Sequence, residues 1–220
     1  MDDRILQLLT DSFTHLLVPA LTVTVPLTLI SFALGMALAV ACALVRIAKV
    51  PVLDQVVRFY VWIIRGTPLL VQLFIIFYGL PNLGVNIDPI PAAILAFTLS
   101  VGAYCSETIR GAIQGVPAQQ FEAGKSIGLS SLQIMFLIVL PQAIRSAFPA
   151  LFNSFISLVK DTSLAAGITV TEMFMAAQRI AARTYEPFWL YCEAALIYLM
   201  ISTVLTWIQA RGEKYLNRYA

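Results

Sequence analysis

Two ionisable side chains, Lys160 and Asp161, stand next to each other inside an otherwise apolar stretch of the chain. If that stretch crosses a membrane, each charge costs at least ~2.5 kcal/mol near the centre of the helix, so each needs a partner. Adjacent residues point about 100° apart around a helix, which prevents the pair from neutralising itself side by side. The spacing therefore predicts that each charge pairs with a group other than its neighbour.

Two hypotheses account for those partners. A bound zwitterion suits the pair, because its carboxylate can contact Lys160 and its ammonium can contact Asp161. The hydroxyls of Thr162 and Ser163 would add hydrogen bonds, which makes all four residues a candidate substrate path or gate. The alternative is purely structural and pairs the two charges with Glu193, with Arg65 or with a neighbouring subunit.

Three carboxylates, Glu107, Asp161 and Glu193, also suggest acid–base groups of a membrane enzyme. We expect them at different depths, and no candidate nucleophile or metal ligand accompanies them. His15 is the only histidine, and the three cysteines lie in different apolar stretches without a CxxC spacing. The sequence therefore predicts no catalytic residue and no metal site, and it disfavours the enzyme.

The tripeptide Gly124-Lys125-Ser126 is similar to the end of a nucleotide-binding P-loop. The first glycine of that motif would fall on Gln119, and no apolar strand precedes it to direct backbone amides at phosphates. The sequence thus predicts that this chain does not bind ATP.

The composition indicates an integral membrane protein. Of the 220 residues, 60% are hydrophobic and only 12% are charged, which is too apolar for an ordinary soluble domain. A spanning helix needs about 20 largely uncharged residues. Suitable stretches predict an all-α protein with about five transmembrane helices in a single domain, residues 1–220, with spans at about 16–45, 59–79, 89–106, 146–168 and 188–209.

A polar insert between the third and fourth spans has the pattern of a helical hairpin. Pro117 suits the first turn of a helix, and Gly128 suits a left-handed stop at its end. Ser130 with Gln133 forms a capping box that begins a second helix. The pattern therefore predicts helix, tight turn, helix.

The run 132–144 that follows the hairpin is apolar enough to enter a membrane. Because Pro141, Arg145 and Pro149 interrupt this run and its continuation, we predict that it is the second helix of the hairpin and lies at the inner surface. The fourth span would then begin near Ser146.

Arginine and lysine placement predicts the orientation, because short loops rich in these residues remain in the cytoplasm. Ten basic residues, from Arg46 to Arg218, fall on or near one side, whereas only Arg4, Arg179 and Arg183 fall in the opposite loops. The N-terminus is thus expected outside and the C-terminus inside, which places the hairpin in the cytoplasm.

The hairpin contains a Glu122-Ala123 pair, a glycine six residues after the glutamate and a terminal Leu140-Pro141. In these features it resembles the EAA loop of the permeases of binding-protein-dependent ABC importers, with their type I importer fold. Other segments resemble the polar amino-acid branch of that family: Arg65-Gly66-Thr67-Pro68-Leu69, Pro89-Ile90-Pro91-Ala92-Ala93 and Ser106-Glu107-Thr108-Ile109-Arg110-Gly111. The stretch 153–164 is most similar to permeases of L-cystine importers.

The resemblance implies that a loop of about residues 110–141 docks into a cleft of an ATPase subunit. The coupling residues it implies are Glu122, Ala123, Gly124, Gly128, Leu140 and Pro141. It also implies an ATPase dimer, an extracytoplasmic solute-binding protein, and a second permease chain in a homodimer or heterodimer. The protein is expected in the lipid bilayer of a bacterial cytoplasmic (inner) membrane. No nucleic acid partner is expected. ATP and Mg would bind the partner ATPase, and this chain would carry no cofactor.

The solute implied is a polar amino acid, with L-cystine ahead of glutamine, histidine or arginine. A secondary transporter is disfavoured because five spans cannot divide into an inverted repeat. The chain departs from the family pattern in two places. Gly124 stands where many members carry alanine, which predicts a slightly looser coupling helix. Glu193 places a carboxylate in the fifth span, which leaves the choice of amino acid open.

Overall fold

The computed structural model describes residues 3–216 and Arg218. Every regular element within that part of the chain is helical, which confirms the predicted all-α class. The α-helices, numbered in chain order, are α1 (Asp3–Pro19), α2 (Val25–Ala48), α3 (Leu53–Gly66), α4 (Leu69–Phe74), α5 (Pro89–Gln114), α6 (Ala118–Ser126), α7 (Ser131–Ile134), α8 (Leu140–Asp161), α9 (Met173–Thr184) and α10 (Pro187–Leu216). Between them lie π-helical turns at Ala20–Thr24, Ile75–Gly79 and Met135–Val139, and 3₁₀ turns at Leu80–Leu83 and Thr162–Ile168.

Among the described residues, four continuous helical segments are long and apolar enough to cross a membrane: Asp3–Ala48, Pro89–Gln114, Ser131–Ile168 and Pro187–Leu216. A fifth crossing is formed if the bent pair Leu53–Gly66 and Leu69–Leu83 counts as one span. This agrees with about five membrane helices. Each segment is longer than the span predicted within it, and the membrane limits themselves stay predictions.

The prediction of one helix over residues 59–79 is wrong, because the chain bends by 107° between α3 and α4. Thr67 adopts an extended backbone before Pro68, as the proline ring requires of the residue that precedes it. The amide of Gln72 reaches back to donate hydrogen bonds to the carbonyls of Ile64 at 2.8 Å and Thr67 at 3.1 Å. These bonds satisfy carbonyl groups that the break would otherwise leave without a partner.

The predicted separation of the second hairpin helix from the fourth span is also wrong. The helix continues from Ser131 to Asp161 without a break, so no new helix begins near Ser146. A π-helical turn ends at Val139, two residues before Pro141, and the backbone amide of Leu140 donates a hydrogen bond to the carbonyl of Met135. This wider turn accommodates a proline that has no amide hydrogen to donate.

Helix α9 is absent from the sequence prediction. It begins after Glu172, whose fully buried carboxylate accepts hydrogen bonds from the backbone amides of Phe174 at 2.8 Å and Met175 at 2.7 Å. Tyr198 of α10 donates a further bond to the same carboxylate at 3.1 Å. Glutamate is not among the residues that usually cap helices, so local rules gave no signal for this start.

Close contact between α2 and α5 forms the centre of the larger core. A Cβ added to Gly35 would lie 2.5 Å from the Cβ of Val101, so the two backbones can approach only because position 35 has no side chain. A second core joins α1, α9 and α10 through buried residues that include Leu16, Met173 and Ile197. In the same region Ser12 donates a 2.5 Å hydrogen bond to the buried carboxylate of Glu193.

An ionic network fixes α3 against α2 and α5. Asp54 pairs with Arg58 at 2.9 Å, and Glu107 pairs with Arg110 at 2.7 Å. Arg46 of α2 joins the two pairs, because it contacts Asp54 at 3.6 Å and also bonds to Glu107. The network therefore ties the first half of the broken span to the two helices that form the core.

Candidate coupling hairpin and translocation cavity

The hairpin forms as the sequence predicts. Helix α6 ends at Ser126, and Gly128 adopts a left-handed φ of 82°. The turn closes when the amide of Leu129 donates to the carbonyl of Gly124 at 3.1 Å, a bond that is typical of a glycine-terminated helix. Ser130 and Gln133 then form both bonds of the capping box that starts α7.

Inside the hairpin, Gly124 lies buried against the helix that follows. A Cβ at this position would lie 2.7 Å from Cγ1 of Ile134, a fully buried side chain. An alanine would therefore force a shift, since packed cores tolerate little added volume. This close contact argues against the loosening that the glycine was expected to cause.

The outer surface of the hairpin has both charged and apolar groups. Glu122 and Ala123 are exposed, and so is Lys125. Ile127 and Leu132 are also exposed, with 74% and 71% of their surface accessible. Sequence reasoning did not select these two apolar side chains, although large apolar groups at a polar turn are a signal for a contact surface.

The last two predicted coupling residues lie beyond the hairpin itself. Leu140 lines an apolar cavity of about 330 Å³ between α2, α5 and α8, whereas Pro141 is exposed. They belong to the continuous helix that carries the hairpin into the fourth span. Any movement of the hairpin would thus be transmitted directly to α8.

A second site is a cavity of about 410 Å³ between α5 and α8 with a polar lining. Its volume falls within the range of small-molecule sites. Its polar lining residues are Ser100, Tyr104, Asn153, Ser154, Ser157 and Asp161. The guanidinium of Arg65 lies over the ring of Tyr104, with 5.4 Å between its central carbon and the ring centroid.

The structure separates the four residues of the predicted substrate path. Asp161 lines the polar cavity between α5 and α8, whereas Lys160 and Ser163 line a different cavity of about 480 Å³ beside α9 and α10. Thr162 is fully buried and donates to the carbonyl of Val159 at 2.7 Å. The divergence of Lys160 and Asp161 agrees with the angle expected for adjacent residues of a helix.

Glu193 and Arg65, the partners proposed within the chain, do not contact Lys160 or Asp161. Across residues 3–216 and Arg218, no opposite charge lies within 4.0 Å of Lys160 or Asp161. Glu193 bonds to Ser12 instead, and Arg65 lies over Tyr104. The pairing with a neighbouring subunit stays a prediction.

Sequence reasoning missed the contribution of α5 to the polar cavity. Ser100 and Tyr104 are four residues apart in an apolar helix, and Asn153, Ser157 and Asp161 repeat the same spacing on α8. Residues four apart share one face of a helix. Polar side chains that recur every four residues within two membrane segments are therefore the sequence signal for this cavity.

Comparison with known proteins matches residues 32–217 to the family described as "binding-protein-dependent transport system inner membrane component". The chain belongs to this family. It is 49% identical over 213 residues to the L-cystine transport system permease protein TcyB of Bacillus subtilis, covering 96% of this chain and 91% of that protein. It is 39% identical over 222 residues to the nopaline transport system permease protein NocM of Agrobacterium fabrum, covering 96% and 92%.

A solved structure is similar over nearly the whole chain. A crystal structure of an amino acid ABC transporter with histidines gives a TM-score of 0.88 at 32% identity, covering 94% of this chain and 96% of that one. The fold is therefore that of a type I ABC importer permease. The chain is a permease subunit of the amino-acid ABC importers, and ATP hydrolysis belongs to the partner ATPase. The membrane-enzyme and secondary-transporter alternatives are accordingly excluded.

Proposed function

We propose that this chain forms the membrane pathway of an ATP-driven importer of L-cystine in the bacterial cytoplasmic membrane. The observation that carries the proposal is the 49% identity to an L-cystine permease over 96% of the chain. The polar cavity between α5 and α8 supports it, because hydroxyl, amide and carboxylate groups there suit a solute with ammonium and carboxylate groups. A relative that is 39% identical is named for nopaline, so relatives at this level of identity differ in their solute. The alternative solutes are amino acids of the glutamine, histidine and arginine types.

Transport by the complete complex identifies the solute. Proteoliposomes that contain this permease, its ATPase and its binding protein are expected to accumulate labelled L-cystine only when ATP is present. An excess of unlabelled glutamine, histidine or arginine should not compete with cystine. The polar groups of a site that pair with the cystine side chain would be left without partners when a different amino acid binds. ATP-dependent uptake of arginine but not of cystine would contradict the choice of solute and leave the importer function intact.

Movement of the solute would follow from the arrangement of the hairpin. Closure of an ATPase dimer would draw together the hairpins of two permease chains, and each hairpin continues without interruption into α8. Because α8 contributes Asn153, Ser157 and Asp161 to the polar cavity, such a movement would change access to that cavity. The exposed Glu122, Ile127 and Leu132 are the groups proposed to contact the ATPase.

The orientation prediction places the hairpin in the cytoplasm and the turn before α5 outside. A cysteine at Asn86 should react with an impermeant thiol reagent on intact cells, whereas one at Gln119 should react only after the membrane is opened. Both positions are exposed, so access depends on the side of the membrane. Cys192 is exposed and should be replaced by serine first, while Cys42 and Cys105 are buried. Labelling at Gln119 in intact cells would overturn the orientation.

A further inference from the structure

A fourth cavity lies between α1 and α9 and has no part in the proposed pathway. Its volume is about 330 Å³. Three basic side chains, His15, Arg179 and Arg183, line it together with the apolar groups of Leu8 and Ile180. It therefore combines a basic rim with an apolar wall.

The two arginines carry charge that the described part of the chain does not neutralise. Arg179 and Arg183 are four residues apart on α9 and so share one face of that helix. Across residues 3–216 and Arg218, neither has a carboxylate within 4.0 Å, whereas nearby Arg4 pairs with Glu186 at 3.9 Å. Asp11 lines the same cavity but forms no ion pair there. Two guanidinium charges against one carboxylate leave the cavity positive, even with His15 neutral.

The position of the cavity fits the boundary between lipid and water. Arg183 is the residue before the last one of α9, and Tyr185, which is 88% exposed, follows the helix end. Phe188 and Trp189 come next, at the start of α10. Tyrosine and tryptophan are enriched at membrane interfaces, where long basic side chains also place their charged ends.

We infer that this cavity binds a phosphate group, with the two guanidinium groups as its main ligands. Arginine presents a planar fork of donors that matches phosphate oxygens, and His15 can add a hydrogen bond. The apolar wall of Leu8 and Ile180 suits the chain of an anionic phospholipid. The same charged groups would also bind free phosphate, so the source of the group is decided by experiment.

The test uses the purified permease–ATPase complex in a detergent solution. The complex is titrated with phosphatidylglycerol and, in parallel, with phosphatidylcholine, and retained lipids are counted by native mass spectrometry. A second titration measures binding of inorganic phosphate alone. The variants are Arg179→Gln, Arg183→Gln, their combination, and Asp11→Asn. Arg4→Gln is the matched control, because it removes an exposed arginine near the same helix ends but outside the cavity.

We expect phosphatidylglycerol to bind more tightly than phosphatidylcholine, and each arginine removed to weaken that binding about fivefold. Asp11→Asn should strengthen it, because a repelling charge is lost, and Arg4→Gln should leave it unchanged. If inorganic phosphate instead shows this dependence on the arginines, the site takes free phosphate. If neither probe depends on Arg179 and Arg183, the inference is wrong. It is also wrong if the variants only reduce stimulation of ATP hydrolysis by the binding protein, since the cavity would then be a protein contact.

Discussion

Gly128→Val is expected to impair assembly with the ATPase or to uncouple ATP hydrolysis from transport, while the membrane helices remain inserted. Gly128 has a φ of 82°, and a β-branched residue resists this left-handed conformation at a cost of roughly 1–2 kcal/mol. No atom lies within 4 Å of the position of its missing Cβ, so the effect would come from the backbone and not from a clash. The measurements are the amount of ATPase that copurifies with the permease and the ATP hydrolysis that the binding protein stimulates.

Gly84→Val is a matched control for this strain. Gly84 has nearly the same φ, 80°, with equally open surroundings, but lies in the turn before α5, which is predicted on the other side of the membrane. It should leave ATPase copurification unchanged. Glu122→Lys tests the surface of the hairpin without altering its backbone, and it should also weaken the ATPase contact. Normal uptake by both Gly128→Val and Glu122→Lys would remove the basis for assigning the hairpin to coupling.

The hairpin could be predicted from the sequence because local bonds define it. A glycine stop and a capping box involve residues that are at most five apart, and both appear in the structure where the sequence places them. The pairs Asp54–Arg58 and Glu107–Arg110 follow from helical spacing in the same way. Gly124 shows the limit of local rules, because its role depends on the distance to Ile134 across the turn.

Features that depend on distant partners could not be predicted. Arg46 joins two local ion pairs only because α2, α3 and α5 meet at one place. Glu172 caps α9 with the help of Tyr198, which is 26 residues away in the sequence. Likewise, a hydrophobic pattern predicts the number of membrane segments but does not predict the bend of 107° that Gln72 stabilises within one of them.

Asp161→Asn is expected to reduce amino-acid uptake by more than tenfold while the complex still assembles and hydrolyses ATP. The carboxylate of Asp161 lines the polar cavity between α5 and α8, and no basic side chain in the described part of the chain lies within 4.0 Å of it. An ammonium group of the solute that contacts it would lose a charged hydrogen bond worth about 2–5 kcal/mol. Lys160→Met tests the other charge, which lines a separate cavity. If the transported amino acid contacts Asp161 and Lys160 one after the other, Lys160→Met should abolish uptake as well.

The structural alternative predicts a different loss. If each charge instead pairs with a group on another helix or subunit, removing it would strand that buried partner at a cost of about 3–5 kcal/mol and lower the amount of assembled complex. Glu193→Gln is the comparison, because Glu193 is a buried carboxylate that has a partner, Ser12, in the structure. Assembly and uptake should be measured in the same membranes. An assembled, ATP-hydrolysing Asp161→Asn complex with intact uptake would eliminate the substrate path through this residue. Loss of the complex would instead favour contact with a second permease chain, since neither Glu193 nor Arg65 meets these charges.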